Sequence, residues 1–301
     1  MGSRFARRLA AVASWRGGFG RSLKRGNIQH PTSNIQHPMS APVRMAALLL
    51  ALASAGPGGS VLATEKVDGG IVRGSVSERR LALVFTGHSY AEGGTVILDE
   101  LARHHAKGSF FVTGDFLANA AFRPLLRSIV AQGHYLGPHS DKHVLYCPWA
   151  GPNKTLVTHA EFQADLERNL ARIEAFGVKR ASIRYFLPPY EHYNREIVEW
   201  AKAMDLTLVN FTPGTRSNAD YTGEADPNFV PSQAIYDSII RKEQQDPHGL
   251  NGFILLLHLG SGPGRTDKFA VRFGAVLDYL TNKGYQFVRV DELLGPEVSS
   301  K

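Results

Sequence analysis

The feature that most constrains this chain is a regular exchange of short apolar runs with longer amphipathic ones, from Leu81 to Val290. Leu81 to Phe85 is an apolar run of strand length, and Thr95 to His105 follows with Ile97, Leu98 and Leu101 at helical spacing. Ser109 to Thr113 reads as a strand, Pro124 to Gln132 as a helix opened by proline, and Tyr135 to Pro138 as a short strand. A helix over Thr158 to Phe176 carries a Thr158/Glu161 capping box and a stop at Gly177. Ser182 to Leu187, Thr207 to Phe211, Gly252 to Leu257 and Gln286 to Val290 read as the later strands, separated by helices over Asn194 to Met204, Pro231 to Gln245 and Val271 to Asn282. About seven strands in strict alternation with helices predict an α/β fold with a parallel sheet. At this length the expected form is a distorted (β/α)7-type barrel, closed or incomplete, with a doubly wound open sheet as its competitor. No linker interrupts the pattern, so a single domain is expected over 81–295, with a lead-in over 64–80 and a tail over 296–301.

The formal charge of +7 invites a nucleic-acid reading until its position is examined. Residues 1–63 hold Arg4, Arg7, Arg8, Arg16, Arg21, Lys24, Arg25 and Arg44 and no acid, so the rest of the chain carries net −1. A basic nucleic-acid footprint on the folded part is thereby excluded, and Cys147, the only cysteine, excludes a disulfide framework. Arg44 followed by the apolar run Met45 to Ala55, ending near Val61-Leu62-Ala63, has the form of a signal peptide cut near Ala63, too short for a membrane span. Before it, Asn27 to Ser33 repeats almost unchanged as Asn34 to Ser40. That places the translation start at Met39 or Met45, with a histidine-containing metal tract as the alternative reading of the repeat. The mature chain is expected to begin near Thr64, outside the cytoplasm, with no transmembrane helix and no evident protein partner.

In parallel α/β folds the site lies at the carboxyl ends of the strands. Strand one is followed by Thr86-Gly87-His88-Ser89, strand three by His139-Ser140-Asp141-Lys142-His143, strand four by Pro188-Pro189-Tyr190-Glu191, strand five by Asn210, and strand six by His258. His139 and His143 are four apart, a spacing that on a helical turn puts both rings on one face. His88 supplies a third imidazole, leaving an open position at the ion, as catalytic zinc sites do.

Over about Leu81 to Gly295 the chain resembles the polysaccharide deacetylases of the NodB-homology type. The resemblance rests on His139-Ser140-Asp141-Lys142-His143, similar to the family's H-S/T-x-x-H metal motif, and on Leu255-Leu256-Leu257-His258, similar to its L-x-L-H motif. Phe186-Leu187-Pro188-Pro189-Tyr190 resembles the groove segment R-P-P-Y/F, and Ser109-Phe110-Phe111-Val112 the second-strand signature. The resemblance implies a distorted β/α barrel that uses one divalent metal ion, zinc as a rule, to remove acetyl groups from an N-acetylated, or O-acetylated, polysaccharide or oligosaccharide. It also implies His258 as the catalytic acid and a Tyr190 backbone N–H or hydroxyl near the oxyanion. Two departures stand out. Where the family has T-F-D-D-G, this chain has Val84-Phe85-Thr86-Gly87-His88, without either carboxylate, and the arginine that holds the family's base is replaced by Leu187.

A relocated base is one reading of that loss, and surrendered catalysis is the other. Glu191, at the place of a family glycine, is the first candidate base; its alternative role is an acid ahead of the helix at Asn194. Asp141 has three readings: base or ligand, orienter of a histidine, or neither. Trp149, Tyr190, Tyr193, Asn210 and Tyr146 are candidate sugar contacts or plain packing. The expected metal ligands are His88, His139 and His143. A noncatalytic carbohydrate-binding protein and an amidase acting on a non-sugar C–N bond remain the rival functions.

Overall fold

The computed structural model describes residues 64–295; the leader and signal peptide expected over 1–63 and the tail over 296–301 lie outside the described residues. The described residues open with an antiparallel hairpin, β1 (Glu65–Val67) and β2 (Gly70–Arg73), which turns through Asp68 and Gly69 at φ 46° and 91°. Then come β3 (Arg80–Gly87), α1 (Gly94–Arg103), β4 (Gly108–Val112), α2 (Gly114–Ala118), α3 (Arg123–Ala131), β5 (Tyr135–Pro138) and α4 (His159–Glu174). After them follow β6 (Tyr185–Phe186), α5 (Arg195–Ala203), β7 (Thr207–Leu208), α6 (Ser232–Gln245), β8 (Ile254–His258), α7 (Ala270–Asn282), β9 (Gln286–Val288) and α8 (Val290–Leu294).

The central sheet runs β5-β4-β3-β8, all parallel, with β9 pairing the start of β3. Strand pleating sorts β3 between two cores. Leu81, Leu83 and Phe85 pack outward with Ile97, Leu101 and Phe273 of the helices, while Ala82 and Val84 face an inner cluster with Phe111, Leu187, Val209, Ile254 and Leu256. The β6–β7 pair joins β5 through the Leu187 N–H, which donates to the Pro138 carbonyl at 3.3 Å. On its other side Val209 bridges Ile71 of β2, and Arg73 of β2 bridges Phe253 just before β8. These contacts carry the wall around from β7 to β8, so β2 completes the barrel within the segment expected only as a lead-in. Arg73 fastens it there: Nε and Nη2 donate to the Asn251 and Gly249 carbonyls at 2.9 and 3.0 Å, and Nη1 meets Asp246 at 3.1 Å.

The expected helices recur within a residue or two, including the Thr158/Glu161 capping box on α4. The later strands are shorter than expected. Ser182 lies in a 3₁₀ turn over Arg180–Ser182, and β6 is held to two residues because Pro188 and Pro189 have no N–H to continue a ladder. Val290 leaves the sheet to begin α8, where Glu292 reaches back to the Arg289 N–H at 3.2 Å. Among the described residues no helix is long and apolar enough to cross a membrane.

Candidate active site

The loops following β3, β5, β6 and β7, together with the last residue of β8, gather at the carboxyl end of the barrel. His258 ends β8, and its Nδ1–H donates to Asp220 Oδ1 at 2.6 Å, while its backbone N–H donates to Asp220 Oδ2 at 2.9 Å. Asp220 directly follows a 3₁₀ turn over Ser217–Ala219 and is buried. Both of its oxygens are used, so the carboxylate fixes the imidazole's tautomer as well as its orientation. Burial alone pushes the His258 imidazole down, but the charge and hydrogen bond of Asp220, with Glu191 nearby, outweigh it and hold the ring above its ordinary value. Sequence reasoning missed Asp220: it lies 38 positions from its partner in an irregular loop, and no spacing pattern joins the two.

Glu191 lies within electrostatic reach of both members of this pair. Burial raises its carboxyl to about 7, with the His258 charge opposing and the Asp220 charge adding to the shift. Tyr190 and Glu191 both sit in the left-handed region, at φ 59° and 54°, which side-chain-bearing residues enter at a cost of about 1–2 kcal/mol each. The turn is held by the Glu191 N–H on the Pro188 carbonyl at 3.1 Å and by Asn210 Nδ2 on the Glu191 carbonyl at 2.8 Å. Two adjacent strained residues, one with a carboxyl group in electrostatic reach of a histidine, make this turn a candidate functional one.

The histidine trio comes together differently from the helical expectation. His139 to His143 is an irregular loop with Ser140 and His143 at φ 71° and 55°. It brings the His139 and His143 ring centroids to 5.1 Å, with His88 stacked on His143 at 4.6 Å. His139 Nδ1–H donates to the Leu187 carbonyl at 2.8 Å, leaving Nε2 as a lone-pair donor, and burial pushes its imidazole down to about 3, so it stays neutral. His88 Nδ1 meets the Thr113 hydroxyl at 3.2 Å. Among the described residues no group of three or more His, Cys, Asp or Glu side chains is arranged around a common point for a metal ion, and the His88 and His143 rings lie parallel rather than convergent. In kind, however, the donors suit a divalent ion: three imidazoles, one already oriented by a carbonyl.

Asp141 stands apart from this group. Its carboxylate accepts from Arg168 Nε at 3.2 Å and Arg172 Nε at 2.9 Å, and it presses so closely on Gly114 that a Cβ there would come within 1.7 Å of Oδ1. At Gly87, the place of the second family aspartate, a Cβ would meet the Phe116 ring at 2.9 Å and Leu259 at 3.0 Å, so local packing here is built for a residue without a side chain.

Among the candidate sugar contacts, Trp149 stacks on His192 at 4.5 Å and stands edge-on to Tyr190 at 6.1 Å, and both are half-buried at the rim. Tyr193 is buried with its hydroxyl on the Val67 carbonyl at 2.8 Å; Asn210 is buried against the Glu191 turn; Tyr146 is fully enclosed beside Phe162 and Phe186. The structure adds Tyr221, 39% exposed, whose ring lies 4.8 Å from that of His258. A separate cavity of about 610 Å³ flanks the loop after β3, lined by Tyr90, Leu98, Phe122 and Leu125, without any of the four histidines.

Residues 73–209 match the family model described as polysaccharide deacetylase. The peptidoglycan-N-acetylglucosamine deacetylase of Bacillus cereus is 24% identical over 73% of this chain and 70% of its own length. The peptidoglycan-N-acetylmuramic acid deacetylase PdaA of Bacillus subtilis is 26% identical over 73% of each chain. Among solved structures, a CE4 family pseudoenzyme from Bacillus anthracis superposes with a TM-score of 0.57 at 20% identity, covering 76% of this chain and 70% of the other, which speaks to the fold alone. The barrel, the match over residues 73–209 and the motifs after β5, β6 and β8 make the chain similar to the polysaccharide deacetylases, without their first-motif aspartate pair.

Proposed function

We propose that this protein is a hydrolase that removes acetyl groups from an N-acetylated glycan, with Glu191 as general base and His258 as general acid. The observation that carries the reading is the Glu191, His258 and Asp220 assembly: a carboxyl group raised to about 7 and an imidazole raised above its usual value by a buried carboxylate, both at the mouth of one barrel. A carboxyl group raised toward neutrality beside an imidazole raised by its own buried carboxylate has the makings of a base and an acid at one site. His139 and His143, with His88, would hold a divalent ion, zinc by donor type, which supplies Lewis-acid polarisation of an amide carbonyl and a more acidic water. Glu191 takes a proton from the attacking water as its oxygen bonds to the acyl carbon. His258 then delivers its proton to the nitrogen as the C–N bond breaks, giving a free amine and acetic acid, which loses its proton to solvent as acetate; passage of the proton from Glu191 back to His258 resets the site. Asp220 keeps Nδ1 occupied, so that the transferable proton is on Nε2.

Asp141 is not needed as the base, since its carboxylate is committed to Arg168 and Arg172. Tyr190, Trp149 and Tyr221 form an aromatic rim suited to the faces of sugar rings, whereas Asn210 acts through the Glu191 turn it holds and Tyr193 ties the β1 end in place. The substrate class is tested by comparing acetate release from N-acetylated oligosaccharides, their O-acetylated counterparts and a simple non-sugar acetamide. Preference for the first by at least tenfold in kcat/KM is expected, and equal rates on the acetamide would shift the reading to a general amidase.

The metal assignment has its own consequence. Purified protein is expected to carry about one zinc-like ion per chain, and the double variant His139→Ala/His143→Ala to lose it. Equal metal content in the two, measured by elemental analysis, would remove the site. The chain is also proposed to be exported: N-terminal sequencing of the secreted protein should begin near Thr64, and retention of residues before Met39 would overturn that.

A further inference from the structure

Thr86 is the last side chain of β3 before the site, is 2% exposed, and its hydroxyl has no hydrogen-bond partner among the described residues. A buried hydroxyl without a partner costs about 1–3 kcal/mol, so such a group needs a reason. Its position supplies one. Thr86 pairs with His258 in the parallel register of β3 and β8, and neighbouring strands lie about 4.8 Å apart. The alternation that puts Ala82 and Val84 of β3, and Ile254 and Leu256 of β8, on the inner face puts Thr86 and His258 on that face as well. The backbone carbonyl of Thr86 is already taken by the Leu259 N–H at 2.8 Å, so it is the hydroxyl that remains at the barrel mouth, above an apolar floor that includes Val84 and Leu256. Arg265, another buried polar side chain, differs in this respect: its guanidinium is satisfied by the carbonyls of Thr222, Val230 and Asp267 and by the Ser232 hydroxyl, and it serves the loop it holds.

We infer that the Thr86 hydroxyl is a binding contact for the oxygen that becomes acetate: it hydrogen-bonds the attacking water and, after the C–N bond has broken, the acetate oxygen derived from that water. It transfers no proton, and its role is to position the oxygen between Glu191 and His258. This inference rests on the hydrolase reading for its chemistry but makes a binding claim that stands without turnover.

The test uses the full mature chain, with acetate as the probe. Thr86→Val keeps the shape of the side chain and removes only the hydroxyl, and Thr86→Ser keeps the hydroxyl. Thr86→Val should unfold at the same temperature as the wild type or higher, since it removes an unpaired buried polar group, and should bind acetate about tenfold more weakly, the worth of one hydrogen bond. Thr86→Ser should bind acetate as the wild type does. Acetate affinity, read from its methyl NMR signal during titration, unchanged in Thr86→Val would overturn the inference. So would a Tm several degrees below the wild type, because the hydroxyl would then be satisfied within the protein. Weakened acetate binding in Thr86→Val, alongside a wild type that releases no acetate, would uphold the contact and reject the hydrolase reading.

Discussion

Replacing His258 with alanine should lower acetate release by about 10²- to 10⁴-fold while leaving metal content and Tm close to those of the wild type. The effect is large because His258 is the imidazole that Asp220 orients and holds above its ordinary value, while both Asp220 oxygens are used by His258 itself. The fold should survive, since His258 is the last residue of β8 and is 18% exposed at its side chain, so truncation opens the mouth rather than the core. Asp220→Asn should act through the same group. Without the carboxylate, burial lowers the imidazole, and the high-pH arm of the rate profile should move to lower pH. A His258→Ala enzyme of full activity would take the acid out of the account.

Glu191→Gln should cost about 10²-fold or more in kcat with metal retained, because an amide of nearly the same shape accepts no proton at this pH. The wild-type profile should rise as Glu191 ionises near pH 7 and fall as His258 loses its proton, and the low-pH arm should vanish in Glu191→Gln. The sign follows from the roles: the base works ionised, so its raised value delays activity to higher pH; the acid works protonated, so its raised value prolongs activity. Glu191→Gly separates function from structure at the same site. Glycine enters φ 54° without strain, so this variant should gain about 1 kcal/mol of stability as it loses activity. A residue kept there at a conformational cost, with its carbonyl gripped by Asn210, is best explained by what its side chain does.

Much of this was legible from the residues alone. The helices of the alternating pattern and the parallel strands β3, β4, β5 and β8 follow from periodicity, because each is long enough to show a face or is apolar throughout. β2 was not, since Gly70-Ile-Val-Arg73 has too few residues for a period and closes the barrel through Arg73 bonds to carbonyls of a loop far along the chain. β6 and β7 are shorter than their sequence suggests, because a 3₁₀ turn over Arg180–Ser182 and the pair Pro188-Pro189 bound β6, and Val209 to Phe211 run on as loop after β7. At the site, the positions of His139, His143, Glu191 and His258 followed from strand ends and motif order. What joins His139 to His143 did not, because a loop with two left-handed residues achieves the approach expected of a helix. Asp220 was invisible, being linked to His258 only by the fold. The partners of Asp141 were likewise hidden: nothing in H-S-D-K-H foretells that Arg168 and Arg172 reach down from α4.

The central claim is that a chain without the first-motif aspartates still hydrolyses an acetamide, through Glu191 and His258. The most direct measurement is a time course with metal-loaded wild type on an N-acetylated oligosaccharide, counting acetate and newly exposed amine in the same samples, with Glu191→Gln and His258→Ala run alongside. Acetate and amine should appear in equal amounts with wild type and near background with both variants. Saturable oligosaccharide binding by the wild type with neither product formed would contradict it and leave a carbohydrate-binding protein on a deacetylase scaffold.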